Sequence, residues 1–235
     1  MPKATPEEYL FTMAQTDNRP ILHTVIFESS SDPDGPIEQS GALISAVRGL
    51  FNTPGVLSVR GAHLSIDTPY AIEEQVLANN DALQLMRKDP HHDRVLDIAR
   101  VHTNWRLVDR IVPDSYNKEP ELIAAARRSG ADPIMRHTMF TFDETVPLSE
   151  VNDSLQALQG SFGSTESDTL FPSEFAVSLD RRKGDIALVR TAWRSIAEAD
   201  RFANSFDYQT ALRDVSTIAI HREVTHRPFI DLGKY

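Results

Sequence analysis

The sequence predicts an α+β protein: two tandem ferredoxin-like βαββαβ units in one chain, closing on each other as a single-chain pseudo-dimeric α/β barrel. Three observations lead there. First, the chain nearly repeats itself. Leu22-His23-Thr24-Val25-Ile26-Phe27 is a short apolar strand opened by a histidine, and Arg136-His137-Thr138-Met139-Phe140-Thr141-Phe142 is the same kind of strand again. Second, each copy is followed by patterns in the same order: a helix, two strands, a second helix and a last strand. Third, 235 residues suffice for two domains, each of roughly 100 residues. A βαββαβ sheet carries helices on one face only. Its other face needs a cover, and the sheet of the other half supplies one, leaving an interior able to hold a ligand. The expected divisions are an N-terminal extension over 1–19, a first domain over 20–113, a helical linker over 114–134, and a second domain with a C-terminal tail over 135–235.

Each element has a local reason. Thr5-Pro6-Glu7-Glu8 supplies a capping hydroxyl, an early proline and acids at a positive helix end, so a short helix is expected to about residue 15. Asp17-Asn18-Arg19-Pro20 is a turn. The strand over 21–28 puts His23, Val25 and Phe27 on one face, Thr24 and Ile26 on the other. Residues 29–36 form a polar loop. Leu43, Ile44, Val47 and Leu50 recur at helical spacing over 39–51, and Asn52-Thr53-Pro54-Gly55 stops that helix. Strands follow over 56–64 and 70–77. A helix begins at 80–86, is interrupted by Asp89-Pro90 and resumes through Val95, Ile98 and Ala99. The closing strand covers 105–112.

The join, residues 113–132, is helical in composition over 120–128 and is stopped by Gly130 and Pro133. In the second half a strand over 136–142 precedes a helix over 148–158. Residues 160–173, rich in Gly, Ser and Thr, form a candidate lid. Strands over 174–179 and 185–194 flank the turn Arg181-Arg182-Lys183-Gly184. One helix is expected over 196–215, then a last strand over 217–224 and a tail that packs on the body.

Composition excludes several classes. A net charge of −10 disfavours nucleic acid and anionic membranes, which both call for surplus Lys and Arg. The absence of cysteine removes disulfides, thiolate catalysis and Cys-ligated zinc. No segment approaches a membrane span or a secretory signal, and the expected location is the cytoplasm. No Gly-rich phosphate loop, nucleophile elbow or HExxH is present.

The first half resembles the stress-responsive A/B barrel (Dabb) family of the dimeric α+β barrel superfamily. The matching pieces are His23-Thr24-Val25-Ile26-Phe27, Pro54-Gly55-Val56 and Asp89-Pro90-His91-His92. The family usually has His-Pro-x-His at the last place; here Asp89 replaces the first His and His92 keeps the second. In the second half Ser205-Phe206-Asp207-Tyr208 stands there, with Tyr208 at the position of His92. The family includes polyketide cyclases that close a ring by intramolecular aldol condensation, as well as stress proteins. The resemblance implies His92 as base and maps the strand histidine onto His23. The tyrosine that helps in those cyclases falls on Met86.

The candidate catalytic residues are therefore His92 and His23, since imidazole titrates near neutral pH and an interior can tune it. Val25, Phe27, Trp105, His137 and Tyr208 are the candidate substrate contacts, although structural bonding across the barrel is the stronger expectation for His137. Glu74 is a candidate buried acid or an edge salt bridge. Asp89, His91, His92 and His23 have metal-compatible chemistry, but their spacing matches no ligand motif and adjacent helical histidines diverge, so no metal is expected. The expected function is a cofactor-independent enzyme that abstracts a proton from a hydrophobic carbonyl compound, for cyclisation, aldol-type or lyase chemistry. The alternative is a non-catalytic, stress-responsive ligand-binding or structural barrel. The expected partner is a hydrophobic small molecule, and a homodimer of the fused pair is left open.

Overall fold

The apolar run at 21–29 pairs on both edges and becomes the centre of the first sheet. A computed structural model describes residues 18–29, 37–62, 70–143, 145–162, 169–171, 173–178 and 186–232. The expected helix before residue 15, the loop at 30–36 and the turn at 181–184 lie outside them. In chain order the elements are β1 (Ile21–Ser29), α1 (Ile37–Gly49), β2 (Val56–Ala62), β3 (Tyr70–Leu77), α2 (Asn80–Met86), α3 (Pro90–His102), β4 (Thr103–Ile111), α4 (Glu119–Arg128), β5 (Ile134–Phe142), α5 (Leu148–Phe162), β6 (Glu174–Val177), β7 (Ile186–Trp193), α6 (Ile196–Ala203), α7 (Phe206–Val215), β8 (Ala219–His226) and β9 (Ile230–Asp231).

The strands form two antiparallel sheets, ordered β4-β1-β3-β2-β9 and β6-β7-β5-β8. Each half is a ferredoxin-like βαββαβ unit. The chain divides into two compact units: the second is Pro113–Pro228, and the first ends at Val112 and regains the chain at Phe229. The tail therefore belongs with the first unit, not the second as expected. Its β9 pairs with β2 through Arg60↔Asp231 and Gly61↔Ile230, and the Leu232 amide donates to the Val59 carbonyl at 2.9 Å. The pairing satisfies backbone groups that an edge strand would leave open.

Side-chain caps set the helix ends. Asn79 accepts from the Ala82 amide and opens α2. Asp89 accepts from the His91 amide at 2.8 Å and from the Thr53 hydroxyl at 2.7 Å, with Pro90 as the first residue of α3. In the second unit the single helix expected over 196–215 is two. Ser195 caps α6, and Ser205 accepts from the Tyr208 amide to start α7 afresh. Gly55, before β2, has φ +84°, and a Cβ there would lie 2.5 Å from the Ala82 Cβ, so only glycine fits.

In the second unit the core lies between one face of the sheet and its helices. Ile134, Phe140, Phe142, Val189 and Trp193 from the strands pack with Val151, Leu158, Phe162, Phe202 and Tyr208. The candidate lid is shorter than expected because α5 runs on to Phe162. Its described part is held to β7 by a Thr169↔Trp193 bridge and by the Leu170 amide on the Ala192 carbonyl.

Candidate functional site

Strand register decides which residues face the helices. In β1, Ile21 faces Leu77, two residues ahead of the Asn79 cap; in β5, Ile134 faces Trp193, two residues ahead of the Ser195 cap. Ile21 thus corresponds to Ile134, His23 to Arg136 and Thr24 to His137. The repeat read from the two histidines is offset by one residue, and in a strand one residue reverses the face. His23 and His137 therefore lie on opposite faces of their sheets.

His23 lies on the helix face. Its Nδ1 is 2.6 Å from Asp109 Oδ1, and a carboxylate only accepts, so Nδ1 carries the hydrogen. Asp109 Oδ2 accepts from Arg87 Nη2 at 2.7 Å, from the turn between α2 and α3. Asp109 is fully buried and His23 nearly so. A third group completes this face. Gln75 sits across from His23, and Glu73 across from Val25. Gln75 Nε2 donates to Glu73 Oε1 at 2.9 Å, while Glu73 Oε2 and Gln75 Oε1 are buried and have no partner among the described residues. Burial pushes the Glu73 carboxyl up to about 8, against the opposing pull of the Gln75 hydrogen bond. Glu73 is thus a neutral acid at pH 7.

His92, on the first turns of α3, is half-buried and feels the charge of His23. Burial, then His23 and Arg87, push its pKa down to about 4, with Asp93 and Asp89 pulling the other way. It is neutral near pH 7, and its Nδ1 is buried with no hydrogen-bond partner among the described residues. His91 turns elsewhere, its ring so close to α1 that a Cβ on Gly49 would lie 2.6 Å from His91 Nδ1. Asp89 is spent on its cap. These neighbours of His92 do not converge on one point.

The remaining candidates separate. Val25 is buried on the helix face beside Glu73. Phe27 and Trp105 pair by backbone, and their side chains lie outside the described residues. His137 is fully buried on the face away from the helices, stacked on His226 with ring centroids 5.0 Å apart and its Nδ1 3.0 Å from His226 Nε2. Tyr208 is in the core against Phe162 and Phe202, its hydroxyl 3.5 Å from Glu223 Oε2. Burial, aided by Glu223, raises its pKa. Glu74 is a fully buried acid, held by Arg60 at 2.8 Å and Arg110 at 3.3 Å.

The second unit replaces the whole polar group. Where His23 faces Gln75 and Asp109, Arg136 faces Thr191 and Thr225; where Val25 faces Glu73, Thr138 faces Val189. Arg136 is fully engaged, bonding Thr225, the Ala199 carbonyl and Asp200. The site is confined to the first unit. Glu73, Gln75, Asp109 and Arg87 are absent from the candidates read from the sequence, because strand alternation does not say which face of β3 the helices cover.

The fold is that of tandem dimeric α+β barrel proteins. No protein-family model matches the chain, and no curated protein matches it in sequence. Among the solved structures similar along nearly the whole chain are these two. One is an anthrone oxidase-like protein, 12% identical, covering 93% of this chain and 95% of its own, with a TM-score of 0.63. The other is a candidate monooxygenase from Fusobacterium nucleatum subsp. nucleatum, 12% identical, covering 94% of this chain and 100% of its own, with a TM-score of 0.50. At such identity the likeness is one of fold. No helix of the described residues is long and apolar enough to cross a membrane.

Proposed function

We propose that the first unit is the catalytic half of a cofactor-independent enzyme of the Dabb type, acting on a small hydrophobic carbonyl compound. The observation that carries this reading is His92 Nδ1: a neutral, buried ring nitrogen with no partner among the described residues, on the helix whose charges act with those of His23 and Arg87. His92 takes the proton from the carbon next to the carbonyl. The C–H electron pair moves into an enolate, which reprotonates or attacks a second carbonyl. His23 and its carboxylate hold the polar wall in place. The second unit serves as structural partner, its helix face filled by Arg136 and aromatic side chains.

The test uses acetophenone in deuterium oxide, with proton NMR following exchange of the methyl protons. The full chain should accelerate exchange, and His92→Ala should lose about a hundredfold or more of that acceleration, the usual range of a general base. Equal exchange in both proteins would sink the assignment. A non-catalytic ligand-binding barrel is the second reading, favoured by one observation: an imidazole with a pKa near 4 is a weak base. That reading expects no acceleration by the unaltered chain.

A further inference from the structure

Glu73 and Gln75 stand two residues apart on one face of β3, joined by a single hydrogen bond. Each keeps one buried polar atom unfilled, Oε2 and Oε1 respectively. Glu73 is 4% exposed and Gln75 1%. Buried polar atoms are rarely left so, because each unmade bond costs stability. With the acid protonated, Glu73 Oε2 offers a hydrogen and needs an acceptor, while Gln75 Oε1 needs a donor. Turning the amide over exchanges the roles and still leaves one donor and one acceptor unfilled.

From this pair we infer that the site recognises a carbonyl compound bearing a neighbouring hydroxyl, with Glu73 donating to the carbonyl and Gln75 accepting from the hydroxyl. This rests on the reading of the first unit as a carbonyl-binding site and names the substrate class. It also gives Glu73 a place in the chemistry. As His92 Nδ1 takes the carbon-bound proton, the electron pair shifts to the carbonyl oxygen, which the Glu73 O–H meets. Burial and the Gln75 hydrogen bond set the Glu73 carboxyl, while the charged groups that act on His92 are His23 on β1, Arg87 on the turn, and Asp93 and Asp89 at the start of α3. None bonds to the unfilled oxygens.

The experiment is calorimetric titration of the full chain with α-hydroxyacetophenone and with acetophenone, at mildly acidic pH. The hydroxylated probe should bind about tenfold tighter, as one hydrogen bond of ~1.4 kcal/mol gives. Gln75→Leu should bring the two affinities together. Glu73→Leu should weaken both probes, while Glu73→Gln, which still donates through its amide, should bind both. Above pH 8 the unaltered chain should lose affinity and Glu73→Gln should not. Equal affinities in the unaltered chain, binding of neither probe, or selectivity that survives Gln75→Leu would overturn the inference and leave buried water as the partner of these atoms. Exchange chemistry is a separate readout: loss of the His92 assignment with selectivity intact removes the catalysis and keeps the recognition.

Discussion

Asp109 fixes His23: the carboxylate accepts from the imidazole Nδ1 at 2.6 Å across adjacent strands. With its other oxygen it accepts from Arg87. One fully buried carboxylate thus ties β1, β4 and the α2–α3 turn.

Asp109→Asn should therefore be costly. It leaves Arg87 and His23 facing a neutral amide, which can accept from Arg87 but meets His23 only if the imidazole changes tautomer. Breaking a buried ionic contact costs roughly 3 kcal/mol, and a shift of the urea midpoint toward lower denaturant would show it. A variant as stable as the parent would remove Asp109 as the group that holds His23 and Arg87 together.

Glu73 couples stability to alkali. Its folded pKa of about 8 lies above the ordinary 4.5, so between these values the folded chain holds a proton that the unfolded chain has lost. Stability contributed by this group is present below 4.5 and declines as pH rises to 8, by at most about 1.4 kcal/mol per pH unit. Glu73→Gln should remove that decline and be the more stable protein at pH 8. Urea titrations at several pH values compare the slopes.

His92 acts in the opposite sense. Its folded pKa of about 4 lies below 6.5, so within that window the unfolded chain binds the extra proton. Stability from this group is present above 6.5 and is lost as pH falls to 4. His92→Asn should flatten the acid limb only. Between 4.5 and 6.5 the two slopes oppose each other, so removing either residue should expose the other's dependence.

Gly55→Ala should destabilise by roughly 1–3 kcal/mol, from positive φ in a residue that resists it and from a Cβ 2.5 Å from that of Ala82. Differential scanning fluorimetry reads the loss. Gly130 has the same φ, but a Cβ there meets nothing within 4 Å, so Gly130→Ala should cost less.

Much of this molecule is legible in its sequence. β3 and α2 run over 70–77 and 80–86, as the sequence places them. Asp89-Pro90 marks the break that starts α3. What failed was register. Two histidines in similar strands invited a match, yet the pairing equates His23 with Arg136 and turns His137 to the other face. Alternation along β3 could not separate Glu73 from Glu74 either, because both faces there are buried. Asp109 and Arg87 join His23 only through long-range strand pairing, which local sequence does not contain. The split of 196–215 into α6 and α7 was a missed cap: Ser205 holds the Tyr208 amide as Asp89 holds that of His91.

β9 has a consequence for the order in which the chain takes shape. Residues that complete the first sheet leave the ribosome only after the entire second unit has been made. Until then β2 offers an open edge, and Arg60 lacks the Phe229 ring that lies 5.1 Å from its guanidinium. The half that carries His92 and Glu73 is thus the first to be translated and the last to be closed.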